Sequence, residues 1–419
     1  MTLALNRRLP LSGNNLRLVI ILMLVWCASC SPKVRQAAVP EPYIPMPKPV
    51  EKPVVRQEVS TSPVSLSVAN IAMIMPFNLD EVSTGYRSAD LKKANMAVEY
   101  YQGFKLALDS LTANGYNYRL QLFDGKDNPG IAHSLGLNPK VRNSDLVVGP
   151  VYPESIKAFS IAFAGVRKPI LSPLSPASPA VIKNNYLITA TPPLSFHARR
   201  SAQYVNDRLK AKKVFILRSG FTEENKYVLP FKQALDSLSK LRTKVISTTV
   251  VRGNLDALIP LLSKTEANII LLPSVNQAFL QVTLRSVDSI AKLYPVILIG
   301  HPSWEGLAYL KADMLQRLKT VITSSDHISY KAGSTVAFIK AYRKAYHAEP
   351  GSYGIKGFDE GLYFGQLLAR TETGMIRPEK YNFEGLDNNF HFEKKPGVGW
   401  INTHVYILRY SNFELKVIE

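Results

Sequence analysis

Beyond residue 30 the chain contains no cysteine; its only two, Cys27 and Cys30, close the N-terminal stretch. Disulfides and thiolate metal sites are therefore excluded from everything downstream, and stability must come from a buried core. The first thirty residues contain no acid either. They carry Arg7, Arg8 and Arg17 ahead of an apolar run, Leu18–Trp26, followed by small residues. That run is far short of the about 20 residues a membrane-spanning helix needs. Clusters of like charge are also missing. Lys and Arg are scattered, with only short pairs such as Lys212-Lys213 and Lys394-Lys395, and no nucleic-acid recognition motif accompanies them. The seven His (133, 197, 301, 327, 347, 391 and 404) lack metal-binding spacing. No Gly-x-Ser-x-Gly, phosphate loop or Gly-x-Gly-x-x-Gly occurs, and Asp124 and Asp127 merely flank a turn. No metal, cofactor, catalytic residue or nucleic-acid partner is expected, and the chain does not read as an enzyme.

What is present begins with a secretory pattern over residues 1–29: basic start, short apolar run, small-residue cleavage site. Ala28-Ser29-Cys30 resembles the lipobox of bacterial lipoproteins, with Cys27 standing where that motif usually has Leu. The resemblance implies lipidation at Cys30; ordinary cleavage near Ala28 or Ser29 is the alternative. Ser31, rather than Asp, favours the outer membrane, with the protein facing the periplasm. Removing the three leader Arg from 51 basic residues leaves 48 against 32 acids, a net +16 that suits an anionic envelope surface.

Residues 30–67 read as a linker. Pro stands at 32, 40, 42, 45, 47, 49, 53 and 63, and each fixes φ and removes a donor. In polyproline II, about 35 residues reach about 100 Å. A lipid plus this spacer gives a domain held off a membrane; a tail with no role in reach is the plainer reading.

From Val68 apolar runs of strand length alternate with helical patterns. Strands are expected at Val68–Met75, Tyr118–Phe123, Asp145–Val148, Pro169–Leu171, Val214–Leu217, Thr243–Val250, Asn268–Leu272 and Val296–Ile299. Helices are expected at Ala94–Ala113, Pro153–Ala164, His197–Leu209, Tyr227–Leu241, Asp256–Ser263 and Asn276–Ala291. In the first, Phe104, Ala107, Leu108 and Leu111 make one apolar stripe, and Asn114-Gly115 supplies the stop. Such alternation means βαβ units: an α/β protein with parallel sheets covered on both faces.

The order of these segments carries a resemblance. "YYQGFKLALDSLTANGYNYRLQLFDGKDNP", "DLVVGPVYPES", "RKPILSPLSPASP", "NNYLITATPP", "AKKVFILRS", "ANIILLPSVNQAFLQVTLRSV", "PVILIGHPSWEG" and "GIKGFDEGLYFGQLLA" follow in register. They resemble the type I periplasmic binding proteins, in particular the leucine/isoleucine/valine-binding branch. The resemblance implies two doubly wound parallel-sheet lobes joined by three crossovers. Lobe 1 would be 68–191 plus 323–378 and lobe 2 would be 192–322 plus 379–419. The crossovers would lie near Thr189–Pro193, Ile322–Ser325 and Met375–Tyr381.

Ligands in open α/β sheets sit at the carboxyl ends of strands, so post-strand loops are the candidates. Gly149–Ser155 opens a helix; Tyr152 and Ser155 face the ligand in this reading, whereas Glu154 either competes with an anion or favours the helix dipole. Ser172 and Ser175 match the family's grip on an α-carboxylate and amine; a Ser/Pro turn with capping roles is the alternative. Ser274 and Asn276 are ligand contacts or an N-cap for the following helix. His301 and Trp304 would stack on a ligand and Glu305 would meet an ammonium, unless Trp304 packs the lobe's edge. Thr189, at the first crossover, completes the ligand set the resemblance implies. Asp359, in Gly357-Phe358-Asp359-Glu360, is expected to cap the helix that those residues open.

Two functions follow. One is a lipid-anchored solute-binding protein that holds a small, amino-acid-like ligand between lobes for a permease or sensor. The other is an envelope scaffold or regulator of a cell-wall synthase that keeps the fold without a ligand.

Overall fold

The computed structural model describes residues 68–82, 87–176, 179–371 and 375–419. The leader, Cys30 and the Pro-rich spacer lie outside them. Five strands open the first sheet: β1 (Ala69–Met75), β2 (Tyr118–Asp124), β3 (Leu146–Val148), β4 (Ile170–Ser172) and β5 (Leu187–Thr189). Five more open the second: β6 (Lys213–Arg218), β7 (Lys244–Thr249), β8 (Asn268–Leu272), β9 (Val296–Gly300) and β10 (Val321–Ser324). The C-terminal segment adds β11 (Phe383–Glu384), β12 (Asn389–Phe390), β13 (Phe392–Lys395), β14 (Gly399–Asn402), β15 (Tyr406–Ser411) and β16 (Glu414–Val417).

The sheets run β13-β14-β5-β4-β3-β1-β2 and β16-β15-β10-β9-β8-β6-β7. Within each, the first five strands are parallel, and an antiparallel pair from the C-terminal segment extends one edge. Central strands read as continuous apolar runs because helices cover both faces: Ile71 through Met75 are fully buried. The edge strand β2 instead alternates Arg119 and Gln121 with Leu120 and Leu122.

The helices are α1 (Ser88–Ala113), α2 (Pro129–Leu137), α3 (Pro139–Arg142), α4 (Pro153–Ala162), α5 (Pro179–Ile182), α6 (Leu194–Asp207), α7 (Asn225–Ser239), α8 (Gln277–Ala291), α9 (Ala312–Arg317), α10 (Gly333–Tyr346) and α11 (Ser352–Ala369). α1 begins a turn and a half before the expected start at Ala94 and ends at the expected Asn114, with Gly115 at φ 95°. The expected helix 256–263 shrinks to a 3₁₀ turn, Ile259–Leu261, because Pro260 lacks the N–H that a longer helix needs. α2 follows the turn read at Asp124 and Asp127, in a stretch for which no helix was expected; Asn128 caps it, its Oδ1 accepting from the Gly130 and Ile131 amides at 2.8 and 3.1 Å.

α11 lies against α1 at backbone distance. Gly357, Gly361 and Gly365 form a stripe facing α1, while Gly354 faces Tyr342 of α10; a Cβ on Gly357 would sit 2.1 Å from the Tyr100 carbonyl oxygen. Both helices close one face of the first sheet, over a core that includes Tyr100, Phe104, Tyr363 and Phe364.

The expected lobe boundary needs one correction. Residues 379–419 were assigned wholly to the second lobe, with a crossover at 375–381. β14 instead pairs in parallel with β5, Ile401 beside Thr189, so the segment through Asn402 belongs to the first sheet. The reason is apolar: Phe390, Phe392 and Trp400 are buried in the first lobe's core, with Phe390 and Phe392 stacked near Tyr363. The last passage between sheets is Thr403–Val405. All three passages thus leave from carboxyl ends, those of β5, β10 and β14.

Candidate functional site

On the first lobe, three expected ligand groups are sealed. Ser172 ends β4 and Thr189 ends β5, paired side by side, and Ser155 lies in the first turn of α4. All three hydroxyls are buried and meet no hydrogen-bond partner. Ser175 is also buried. Tyr152 occupies the N-cap position of α4 without capping it; it packs against the lobe's core with the Lys93 ammonium 5.4 Å from its ring centre. Lys93 is itself held by Asp127 at 2.8 Å.

On the second lobe, a cavity of about 400 Å³ opens at the carboxyl ends of β6, β8 and β9, walled by Phe221, Tyr227, Ser274, Asn276 and His301 among others. Asn276 caps α8, its Oδ1 accepting from the Phe279 amide at 2.9 Å. The Ser274 hydroxyl accepts from the Asn276 amide at 3.2 Å. His301 Nδ1 accepts from the Ser303 amide at 3.1 Å, which puts the ring proton on Nε2. Burial pushes the His301 pKa down to about 4, so the ring is neutral. Trp304 is only 1% exposed and lines neither this cavity nor the next. Its Nε1–H donates to the Ser274 carbonyl at 2.9 Å, and Gly300 gives its ring room. It packs in the second lobe's core, where a ligand-stacking role was one of the two readings.

A second cavity of about 420 Å³ lies where the chain passes between the lobes. Thr191 and Pro192 of the first passage line it, with His197 of α6, Glu305, and Ser324 and Asp326 of the second passage. The Ser324 hydroxyl donates to Glu305 at 3.1 Å. Burial raises the Glu305 pKa above the usual carboxylate value. His197 is 6% exposed; its Nδ1 lies 3.1 Å from the Thr323 hydroxyl, and burial lowers its pKa to about 4.

Beside this cavity sits a partly buried ionic group. Lys356 of α11 pairs with Asp326 at 2.5 Å. Burial opposes charge on both, but each holds the other ionised: the Asp326 pKa is lowered and that of Lys356 raised. Asp387, in the β11–β12 turn, is pushed up to about 7 by burial. Asp359 is raised to about 6 by burial although it accepts three backbone N–H bonds, from Leu386, Asp387 and Asn388, at 2.8–3.0 Å. Asp359 therefore caps that distant turn, not its own helix; Gly357–Glu360 lie in the middle of α11 rather than at its start. Glu360, fully buried, accepts from the Tyr100 hydroxyl at 2.7 Å.

Of the ten candidates, Ser274, Asn276 and His301 share the 400 Å³ cavity and Glu305 lines the 420 Å³ one. Tyr152, Ser155, Ser172, Ser175, Thr189 and Trp304 line neither. His197, Asp326, Lys356 and Asp387 were missed. The one available signal was in α11, where Lys356, Asp359 and Glu360 interrupt an otherwise apolar, Gly-rich helix at i, i+3 and i+4. Among the described residues, no group of three or more His, Cys, Asp or Glu is placed to hold a metal ion.

Two seven-stranded, parallel-dominated lobes linked by three passages are the fold of the type I periplasmic binding proteins. Solved structures bear this out. An ABC transporter substrate-binding protein from Desulfitobacterium hafniense in complex with Leu is 16% identical, with a TM-score of 0.54 over 84% of this chain and 100% of that one. A putative branched-chain amino acid ABC transporter from Rhodospirillum rubrum is 15% identical, TM-score 0.60, with the same coverage. A branched-chain amino acid ABC transporter periplasmic ligand-binding protein from Burkholderia xenovorans LB400 is 11% identical, TM-score 0.56, over 84% of this chain and 94% of that one. No protein-family model and no curated protein sequence matches the chain.

Proposed function

We propose that this chain is a periplasmic solute-binding protein, lipid-anchored at Cys30, that closes two lobes on a small polar ligand and presents the closed form to a permease or sensor. One observation carries the reading: a cavity of about 420 Å³, of ligand-pocket size, is walled by passages between the lobes and by side chains of the second lobe. A group bound there touches the segments whose backbone must turn when the lobes move, which is how such domains couple binding to closure. Solved neighbours of the fold, one named as a substrate-binding protein and another as a periplasmic ligand-binding protein, point the same way. The Pro-rich spacer and the absence of any described helix long and apolar enough to cross a membrane suit a tethered domain.

The test is a thermal-shift screen of amino acids, amines, sugars and peptides. A true ligand at a hundredfold excess over its Kd stabilises by about 2.7 kcal/mol, a rise of several degrees. No shift with any compound sinks the reading. A second reading, a ligand-free scaffold for a cell-wall synthase, is favoured by the sealing of Ser155, Ser172 and Thr189. Crosslinking in cells separates the two by recovering either a permease or a synthase.

A further inference from the structure

We propose that the first lobe carries a second binding site, at the end of its sheet away from the passages, and that it takes a sugar bearing an oxyanion, carboxylate or phosphate.

A cavity of about 390 Å³, within the size range of small-molecule pockets, opens at the amino ends of β4 and β5. Its walls are the end of α4 with the loop to β4, and the loop from α5 to β5. β4 and β5 are parallel neighbours, so both loops come to the same end of the sheet. The three passages between lobes leave from carboxyl ends, so binding here does not depend on lobe closure. The cavity shares no residue with the two at the other end.

The charged side chains in the wall are Arg167 and Lys183, with no acid among them. Both are exposed, and among the described residues neither has a hydrogen-bond or ion-pair partner. The neighbouring cations are already engaged: Lys168 pairs with Asp145 at 2.9 Å, and Arg142 donates to the Ala162 carbonyl at 3.1 Å. The C-terminal end of α4 opposes an anion, but its carbonyls are occupied. Those of Phe159 and Ile161 accept backbone N–H groups, and that of Ala162 accepts Arg142. An oxyanion in the cavity therefore meets two uncommitted cations and no carboxylate. The guanidinium fork of Arg167 matches either oxyanion with two parallel hydrogen bonds.

A second observation is independent of charge. Ser160, in the last turn of α4, is part of the wall and only 7% exposed, yet its hydroxyl has no hydrogen-bond partner. It forgoes even the bond to the carbonyl four residues earlier that a helical serine commonly makes. A buried hydroxyl left unpaired is costly, and a polar ligand at the wall supplies its partner. The side chains of Asn185 and Tyr186 also line the cavity without a hydrogen bond among the described residues, beside apolar Val166 and Ile182. That mixture suits a sugar ring, which carries hydroxyls on its edge and C–H groups on its faces.

The experiment is calorimetric titration of the purified full chain with galacturonate, glucose 6-phosphate, glucose and inorganic phosphate. Either acidic sugar binding about tenfold or more tighter than both glucose and inorganic phosphate supports the proposal, and the one preferred tells carboxylate from phosphate. Arg167→Gln and Lys183→Gln, at exposed positions, each weaken that binding about tenfold or more. Ser160→Ala weakens it too, yet melts no lower than the parent, because it removes a hydroxyl that bonds to nothing in the protein. Lost binding is then not unfolding. Acidic-sugar binding that Arg167→Gln and Lys183→Gln leave intact overturns the site. Glucose binding as tightly overturns the oxyanion, inorganic phosphate binding as tightly overturns the sugar, and no binding by any of the four overturns the proposal whole. The solute-binding reading stands or falls separately, on its thermal-shift screen.

Discussion

Trp304 shows how much one side chain's role depends on what surrounds it. Its ring is buried at 1% exposure, and its Nε1–H satisfies the Ser274 carbonyl at 2.9 Å, joining the loops after β8 and β9. Trp304→Ala is expected to lower stability by about 3–5 kcal/mol, the range for emptying an aromatic core site. Trp304→Phe keeps most of the packing but orphans a buried carbonyl and costs about 1–3 kcal/mol. Urea midpoints at constant m-value measure both. A Trp304→Ala chain as stable as the parent would restore Trp304 as a free ligand contact. Such residues were only half legible. The Asn276 cap could be read, because a cap is a local bond between residues three apart. The burial of Ser172 and Thr189 could not, since it depends on the helices and strands that cover the ends of β4 and β5.

Between elements, the tightest constraint is the crossing of α1 and α11. A methyl on Gly357 would collide with the Tyr100 carbonyl at 2.1 Å, and backbone on both sides leaves nothing to swing away. Ala is favoured over Gly in a helix by about 1 kcal/mol, but forced overpacking costs about 1–3 kcal/mol or more, so the clash wins. Gly357→Ala should lower the melting temperature by several degrees, whereas Gly333→Ala, with open space around it at the start of α10, should not. Equal melting temperatures for the two variants would show that the helices can part cheaply. The main strands and long helices were legible because their periods of 2 and 3.6 run over enough residues to be distinguished. The C-terminal strands were not. Phe390 and Phe392 alternate with Asn389, His391 and Glu393, a period-two pattern, but one too short to say which sheet it joins. Only the contact with Tyr363 and Phe364, some thirty residues earlier on α11, decides that.

Across the whole molecule, the passages between lobes meet the ionic group of Asp326, Lys356, Asp359 and Asp387, so the charge state there acts on the segment that joins the lobes. Asp387 is 6% exposed, and burial raises its pKa to about 7 from an ordinary value near 3.8. The groups facing it are Lys356, which favours its ionisation, and Asp326, Asp359 and Glu305, which oppose it. Between pH 4 and 7 the folded chain therefore holds a proton on Asp387 that the unfolded chain has already released. Stability falls with pH wherever the folded state binds more protons, so this group's contribution is largest below about pH 4 and is lost as pH rises through about 7. Asp359, raised to about 6, acts in the same direction over a narrower window. Asp387→Asn removes the titrating group while keeping a polar side chain of similar size. Its melting temperature should decline less than the parent's between pH 5 and pH 8, leaving the variant relatively more stable at pH 8. Parallel declines in parent and variant, measured by calorimetry across that range, would place the proton elsewhere and remove Asp387 as the source of pH sensitivity between the lobes.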